Sequence, residues 1–435
     1  MVDTKTRTGE PTVLVDNLLD EEIHRFDLEC GLPVLIHLKP NFEKKFAVLG
    51  ANFGSVDRCF VDRCTDRPVT MPEGVAHFLE HKLFETPEGD AFERFSRYGA
   101  SANASTSFRT TSFFFTCSSG FPASLRTLLR LVTRPHLTDH GIEKEKGIIA
   151  QEIRMYEDSP DWRCFIHLVQ GLFVRHPVRT DITGTVDSID RIDRDSLMTC
   201  LDNFYDPSNL CLVVSGDVDP ESVAKQAARE FSRRERGTPG ARVLEAEPRR
   251  VGRARVEEVH AVKRAKLLVG FKDRAVPRTG AELQRRDLLT GILLALLFGS
   301  SSERYRRLYE AGTIDDSFYP SYAGDEDFGF VTLGGESDDP ERMRAAIFRE
   351  IRRFRREGFD TEDFGRIIHK MMGRFVRSLD SQESTAFLLL SSTFKGMDPF
   401  RVPAMIRTLT PDDVMERHAE LFGERNHCTS IVRPA

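Results

Sequence analysis

The segment His77-Phe78-Leu79-Glu80-His81 constrains this chain more than any other. It sets three ionisable side chains into a run, Met71 to Phe84, that also carries Val75, Phe78, Leu79, Leu83 and Phe84. Burying that run as a helix buries the ionisable groups with it, and a buried charge needs a charged partner or a metal. On a helix, His77 and His81 lie four residues apart and share a face. Two neutral imidazoles one turn apart can hold a single Zn²⁺. Glu80 is three residues from His77 and next to His81, so it can lie beside the metal without ligating it. A carboxylate there can take a proton from metal-bound water. The pattern is HxxEH, the inverse of HExxH. Thr70 as N-cap, with Glu73 three residues on, predicts a capping box at the helix start. The opposing reading is a buried His/Glu hydrogen-bond network that holds no metal.

A third ligand is needed, and one further stretch offers it. Thr138 or Asp139 caps a helix predicted to run to about Asp158. Glu145, Ile148, Ile149, Glu152 and Tyr156 fall along one stripe of it. Glu145 and Glu152 stand two turns apart on an otherwise apolar face. Two His and one carboxylate leave a fourth zinc position for water, which is the catalytic arrangement.

With 435 residues, the chain suits two to four domains. Apolar residues make up 40% and charged residues 30%, as in a folded globular protein. The net charge of −6 argues against a general pull toward nucleic acid. No apolar run reaches the roughly 18 residues of a membrane helix. The longest candidate, Leu288 to Phe298, is interrupted by Thr290 and Gly291. Residues 1–20 are polar and acidic, without the basic and apolar regions of a targeting segment, so a cytoplasmic location is expected. The eight cysteines are scattered with no CxxC, which predicts free thiols. Cys59 and Cys64 flank a short loop, where a metal clip or redox pair is the alternative.

The order of elements repeats. Residues 1–232 read as a zinc-binding half and 233–252 as a charged, Gly- and Pro-containing linker. Residues 253–435 read as a second half without metal ligands. The linker's Arg233, Arg234, Arg249 and Arg250 read as solvated, with a nucleic-acid patch as the alternative. Setting Phe84 against Phe298 puts Gly291, Leu294 and Ala295 where His77, Glu80 and His81 stand. Setting Thr138 against Thr361 puts Phe375 where Glu152 stands. One copy keeps the ionisable groups, and the other carries small or apolar residues in their place.

His77 to His81, then GASANAST (Gly99 to Thr106) and EKGIIAQE (Glu145 to Glu152), resemble the pitrilysin and mitochondrial-processing-peptidase family of inverted zincins. GVAHFLEHKLFE (Gly74 to Glu85), KEKGIIAQEI (Lys144 to Ile153) and HPVRTDITGTV (His176 to Val186) are similar to its short bacterial, YmfH-like branch. The resemblance implies an α+β fold of two similar halves, antiparallel-rich sheets covered by helices, closing like a clamshell on a peptide. It implies one Zn²⁺ per chain on His77, His81 and Glu152, Glu80 as general base, and Glu145 orienting a ligand histidine. Asn103 and Ala104 match a pair on the edge strand that holds substrate backbone; the other reading of Asn103 is a turn residue. Self-sufficient members carry an Arg and, about seven residues on, a Tyr in the second half. Here Tyr309 and Asp315 or Asp316 stand in those places. The expectation is therefore a zinc endopeptidase that needs a paralogous partner subunit or a second copy of itself. The competing expectation is a non-catalytic subunit of such a complex. Neither nucleic acid nor membrane is expected as a partner.

Overall fold

Short alternating runs ending in turn residues become strands here. The structure, a computed structural model, describes residues 12–16, 21–234, 236–423 and 425–435. Most of 1–20, on which the targeting expectation rests, lies outside the described residues. Glu21–Asp27 and Pro33–Leu38 form the first hairpin, turning at Gly31 with φ +95°, a backbone conformation that glycine adopts without steric penalty.

The chain divides into two compact units. The first comprises the described residues of Met1–Ile153, Asp181–Leu244 and Val376–Phe394. Among the described residues its main sheet runs in the order Thr12–Asp16, Glu21–Asp27, Pro33–Leu38, Leu210–Gly216, Lys45–Ala51, Thr111–Cys117, Ala100–Thr106. Leu210–Gly216 is buried at every position, as a strand covered on both faces must be. Phe121–Thr133 packs on this sheet and buries Leu125, Leu128, Leu129 and Val132 along one face.

The second unit comprises Arg154–Thr180, Glu245–Phe375 and the described residues of Lys395–Ala435. Its sheet runs Arg255–His260, His427–Pro434, Ala265–Lys272, Gly329–Ser337, Tyr319–Gly324. Five strands of the first sheet match these one for one. In both, the last strand of the repeat slots between the first two. It pairs parallel to one (Leu210–Gly216 with Pro33–Leu38, His427–Pro434 with Arg255–His260) and antiparallel to the other. The remaining pairs are antiparallel. The repeat legible in element order is thus a repeat of topology.

The compact units do not follow the contiguous halves 1–232 and 253–435. Pro160–Leu172 belongs to the second unit and packs on Ala265–Lys272 and His427–Pro434. Gln382–Phe394 belongs to the first and packs on Lys45–Ala51 and Leu210–Gly216. Each sheet has a glycine where the exchanged helix seats a leucine. A Cβ on Gly50 would sit 2.7 Å from both Leu390 methyls, and one on Gly270 would sit 2.8 Å from Leu172 Cδ1 and 2.9 Å from Leu168 Cδ2. The segment expected as a linker is partly built in: Ala241–Arg242 pairs with Cys59–Asp62, and Arg242 Nε bonds Asp57 Oδ1 at 2.6 Å.

The motif helix is Val75–Leu83, and the predicted capping box is absent. Thr70 ends the strand Arg67–Thr70. Glu73 instead bonds Arg58 Nη1 at 2.5 Å, and its carbonyl accepts from Ser188 Oγ at 2.9 Å. Gly74, with φ +85°, takes the N-cap place. A Cβ there would lie 2.4 Å from the Thr183 carbonyl oxygen. The loop after His176 therefore sets the start of this helix by close packing, and the local Thr/Glu pattern loses to it.

Candidate metal centre

Two helices of the first unit bring the site together. Val75–Leu83 carries His77, Glu80 and His81, and Asp139–Glu157 carries Glu145 and Glu152. The imidazoles of His77 and His81 lie 4.6 Å apart, tilted by 64°. Glu152 reaches between them: Oε1 lies 3.7 Å from His77 Nε2 and Oε2 lies 3.6 Å from His81 Nε2. Those separations are too long for hydrogen bonds. They fit two ligands on one tetrahedral zinc, whose donor atoms at about 2.0–2.2 Å from the ion stand about 3.4 Å from each other. One donor atom from each of His77, His81 and Glu152 lies within 4.8 Å of the others, so the three could hold a metal ion. Among the described residues no other group of His, Cys, Asp or Glu has this geometry, Cys59 and Cys64 included. All eight cysteines are free thiols.

Electrostatics favour a cation at this point. Burial first, and the charge of His81 second, push His77 down to about 3, so its ring is neutral near pH 7 and offers a lone pair. Burial alone would lower His81, but the Glu145 hydrogen bond and the charges of Glu145, Glu80 and Glu152 outweigh it and raise it. Burial raises Glu80, opposed by its Thr106 hydrogen bond and by His81. Burial likewise raises Glu152. Three carboxylates crowded into one half-buried cluster leave a concentration of negative charge that a dication held by His77, His81 and Glu152 would relieve.

The two histidines are held differently. His81 Nδ1 meets Glu145 Oε1 at 3.0 Å, leaving Nε2 turned toward Glu152. His77 Nδ1 is buried without a hydrogen-bond partner, so packing alone orients that ring. Glu80 turns the other way. Its Oε2 accepts from the Thr106 hydroxyl at 2.5 Å, which keeps it out of the His77, His81, Glu152 cluster but beside it.

Thr106 ends the strand Ala100–Thr106, at the edge of the sheet. Ala102, Ala104 and Thr106 face inward and Ser101, Asn103 and Ser105 are exposed, the alternation of a half-buried strand. Asn103 therefore lies in a strand and not in a turn, and its Oδ1 accepts from the Ala104 N–H at 2.8 Å. A cleft of about 680 Å³ opens beside the cluster, lined by Glu80, His81, Asn103, Ala104 and Ile148 among others. Phe84 and Phe92, stacked at 4.2 Å, form part of its wall.

Neither Thr106 nor Lys82 stands out in the sequence as a site residue. A signal for Thr106 was its place on the same strand face as Ala104. In the second unit, Gly291, Leu294 and Ala295 lie on Gly280–Phe298 and Phe375 on Thr361–Ser378. Tyr309 is exposed on Glu303–Glu310 and stacks on Tyr305, and Asp315 pairs with Arg264 at 2.8 Å.

Residues 70–186 match the family model described as Insulinase (Peptidase family M16), and residues 191–371 match that described as Peptidase M16 inactive domain. The chain is 38% identical over 407 residues to the uncharacterized zinc protease YmfH of Bacillus subtilis, covering 91% of this chain and 93% of that one. An M16-like peptidase of Alicyclobacillus acidocaldarius superposes with a TM-score of 0.91 at 35% identity, over 95% of this chain and 99% of its own. Pitrilysin superposes with a TM-score of 0.74 at 17% identity, over 100% of this chain and 46% of its own, a likeness of fold.

Proposed function

This chain belongs to the M16 peptidase family, and from that premise we propose that it is a zinc-dependent endopeptidase acting on small or unfolded peptides. The observation that carries the proposal is the convergence of His77, His81 and Glu152, with Glu80 beside them and a cleft lined by Glu80 and His81. In this reading those three side chains hold one zinc per chain. When bound, the ion supplies Lewis acidity, which makes a water molecule acidic enough to ionise near neutral pH. Glu80 is the base that accepts the proton and returns it to the leaving amine. Thr106 fixes the Glu80 oxygen that is not used. Glu145 fixes the His81 ring through Nδ1. Ala100–Thr106 offers its free edge to the peptide backbone, with Asn103 and Ala104 lining the cleft. A peptide carbonyl would take over the Ala104 N–H that Asn103 now occupies.

The second unit favours a divided site. Tyr309, Asp315 and Asp316 stand where self-sufficient relatives carry an Arg and a Tyr to stabilise the oxyanion, and acidic groups cannot serve there. We therefore propose that a paralogous subunit, or a second copy, supplies that pair, and that the chain alone is weakly active. The second reading, a non-catalytic subunit, draws on the same feature. Free cysteines throughout support a reducing, cytoplasmic setting. Among the described residues no helix is long and apolar enough to cross a membrane.

A quenched-peptide assay with and without a co-expressed paralogue tests the proposal, with Glu80→Gln as control. Hydrolysis that needs the partner and vanishes in Glu80→Gln with zinc retained supports it. Full activity of the single chain removes the divided site. No activity under either condition, with zinc bound, leaves the non-catalytic reading.

A further inference from the structure

Lys82 directly follows His81, is 1% exposed, and has no part in the proposed reaction. Burying an ammonium costs several kcal/mol unless it is well paired, so its presence in an apolar helix needs a reason. Its Nζ bonds the Glu85 carboxylate and lies 4.0 Å from Glu145 Oε2. The other oxygen of the same Glu145 meets His81 Nδ1 at 3.0 Å. Gly141, on the helix that carries Glu145, completes the arrangement. A Cβ there would lie 2.7 and 2.8 Å from the two Glu85 oxygens and 2.8 Å from Lys82 Nζ. Gly141 stands in the first turn of its helix, and the missing side chain leaves room for the Lys82–Glu85 pair. A buried lysine and a glycine that makes room for it thus converge on the carboxylate that orients His81.

We propose that Lys82 is a positioning residue for the metal centre. It anchors Glu145 through Oε2, so that Oε1 stays on His81 Nδ1 and His81 Nε2 stays turned to the metal position. Glu85 and Gly141 hold Lys82 in place. The inference rests on His77, His81 and Glu152 being the metal ligands. Without Lys82, Glu145 is free to turn, and His81, which is less buried than His77, loses the hydrogen bond that fixes its ring.

The test measures zinc affinity of the full chain by chelator competition, alongside thermal unfolding of the zinc-free protein and the visible spectrum of the Co²⁺ form. For Lys82→Met, zinc binding is expected to weaken about 10- to 100-fold, the usual effect of losing a group that supports a ligand. The Co²⁺ bands should shift, while the zinc-free protein unfolds no earlier than wild type. Zinc affinity and Co²⁺ spectrum both equal to wild type overturn the inference. A loss confined to the unfolding temperature overturns it too, since that is what a purely structural lysine gives. If Lys82→Met does not fold, Gly141→Ala is measured instead; it keeps the charge but displaces the pair, and unchanged zinc affinity there overturns the inference equally. A wild-type chain that takes up no zinc removes the ligand reading itself, an outcome distinct from zinc bound equally by wild type and variant.

Discussion

The hydroxyl of Thr106 donates to Glu80 Oε2 across 2.5 Å, joining the last residue of the edge strand to the carboxylate beside the metal position. The same strand carries Asn103 and Ala104, so in the proposed reaction one strand would both offer an edge for a peptide and orient the base. Thr106→Val keeps the shape and removes the donor. A hydrogen bond to a charged group contributes about 1.5–3 kcal/mol, and each 1.36 kcal/mol in a barrier is about tenfold in rate. Thr106→Val is expected to lower kcat about 10- to 100-fold with zinc content unchanged, read from steady-state kinetics and metal analysis. An unchanged kcat would show that Glu80 is oriented without it.

Metal removal should register in stability as well as in activity. Ligand that binds only the folded chain stabilises it by about 2.7 kcal/mol at a free concentration 100 times Kd. Stripping with a chelator is expected to lower the unfolding temperature, and zinc should restore it. His77→Ala and Glu152→Gln should unfold at the same temperature with and without zinc. A zinc response that survives in both variants would place the metal elsewhere.

The paired glycines under the exchanged helices predict effects of a definite sign. At Gly50 and Gly270 an added Cβ meets leucine atoms at 2.7–2.8 Å, and overpacking of this kind costs about 1–3 kcal/mol. Gly50→Val and Gly270→Val should each lower the urea midpoint. Gly365, within Thr361–Ser378, has open space around it. Gly365→Ala should raise the midpoint, by up to about 1 kcal/mol of stability.

A buried ion pair in the second unit predicts acid sensitivity. Arg417 Nη1 lies 3.1 Å from Asp273 Oδ1, Nη2 bonds the other oxygen, and Tyr322 Oη donates to Oδ2 at 2.7 Å. Burial would raise Asp273, but the Arg417 hydrogen bond and charge outweigh it and hold it below the ordinary carboxylate value. A depressed carboxylate contributes stability that is present above its unfolded pKa, about 3.9, and is lost as pH falls through the folded one. Asp273→Asn removes the buried partner of Arg417 and leaves it only the half-exposed Glu420, 3.2 Å from Nη1; it should cost up to about 3–5 kcal/mol near neutral pH and flatten the loss of stability below about pH 4. Urea unfolding as a function of pH reads both.

Much of the cluster was legible because its chemistry is local. His77, Glu80 and His81 stand out as ionisable residues in an apolar run, and Glu145 and Glu152 as carboxylates on one stripe. What was not legible depends on contacts across the fold. The stretch Ser101 to Ser107 reads as polar and small, yet it is a strand because Thr111–Cys117 pairs with it. Thr70 and Glu73 match a capping box, yet Gly74 packed on Thr183 sets the helix start. Pro160–Leu172 has a Ser159 cap and buries Cys164, Leu168, Val169 and Leu172, signals that mark a helix; the sequence reading gave it no element, and nothing local says which sheet it joins. Thr106 and Lys82 act through partners 26 and 63 positions away, a register no local pattern encodes.

The chain passes between its two compact units five times, so no single break releases either of them whole. A nick within 233–252 would leave Pro160–Leu172 on the first fragment and Gln382–Phe394 on the second, each fragment carrying a helix that belongs to the other's sheet. The copy with Gly291, Leu294 and Ala295 in place of ionisable residues is therefore not free to be discarded. It supplies Leu390 against Gly50 in the first unit's sheet, so the repeat without the ionisable residues still carries part of the other repeat's core.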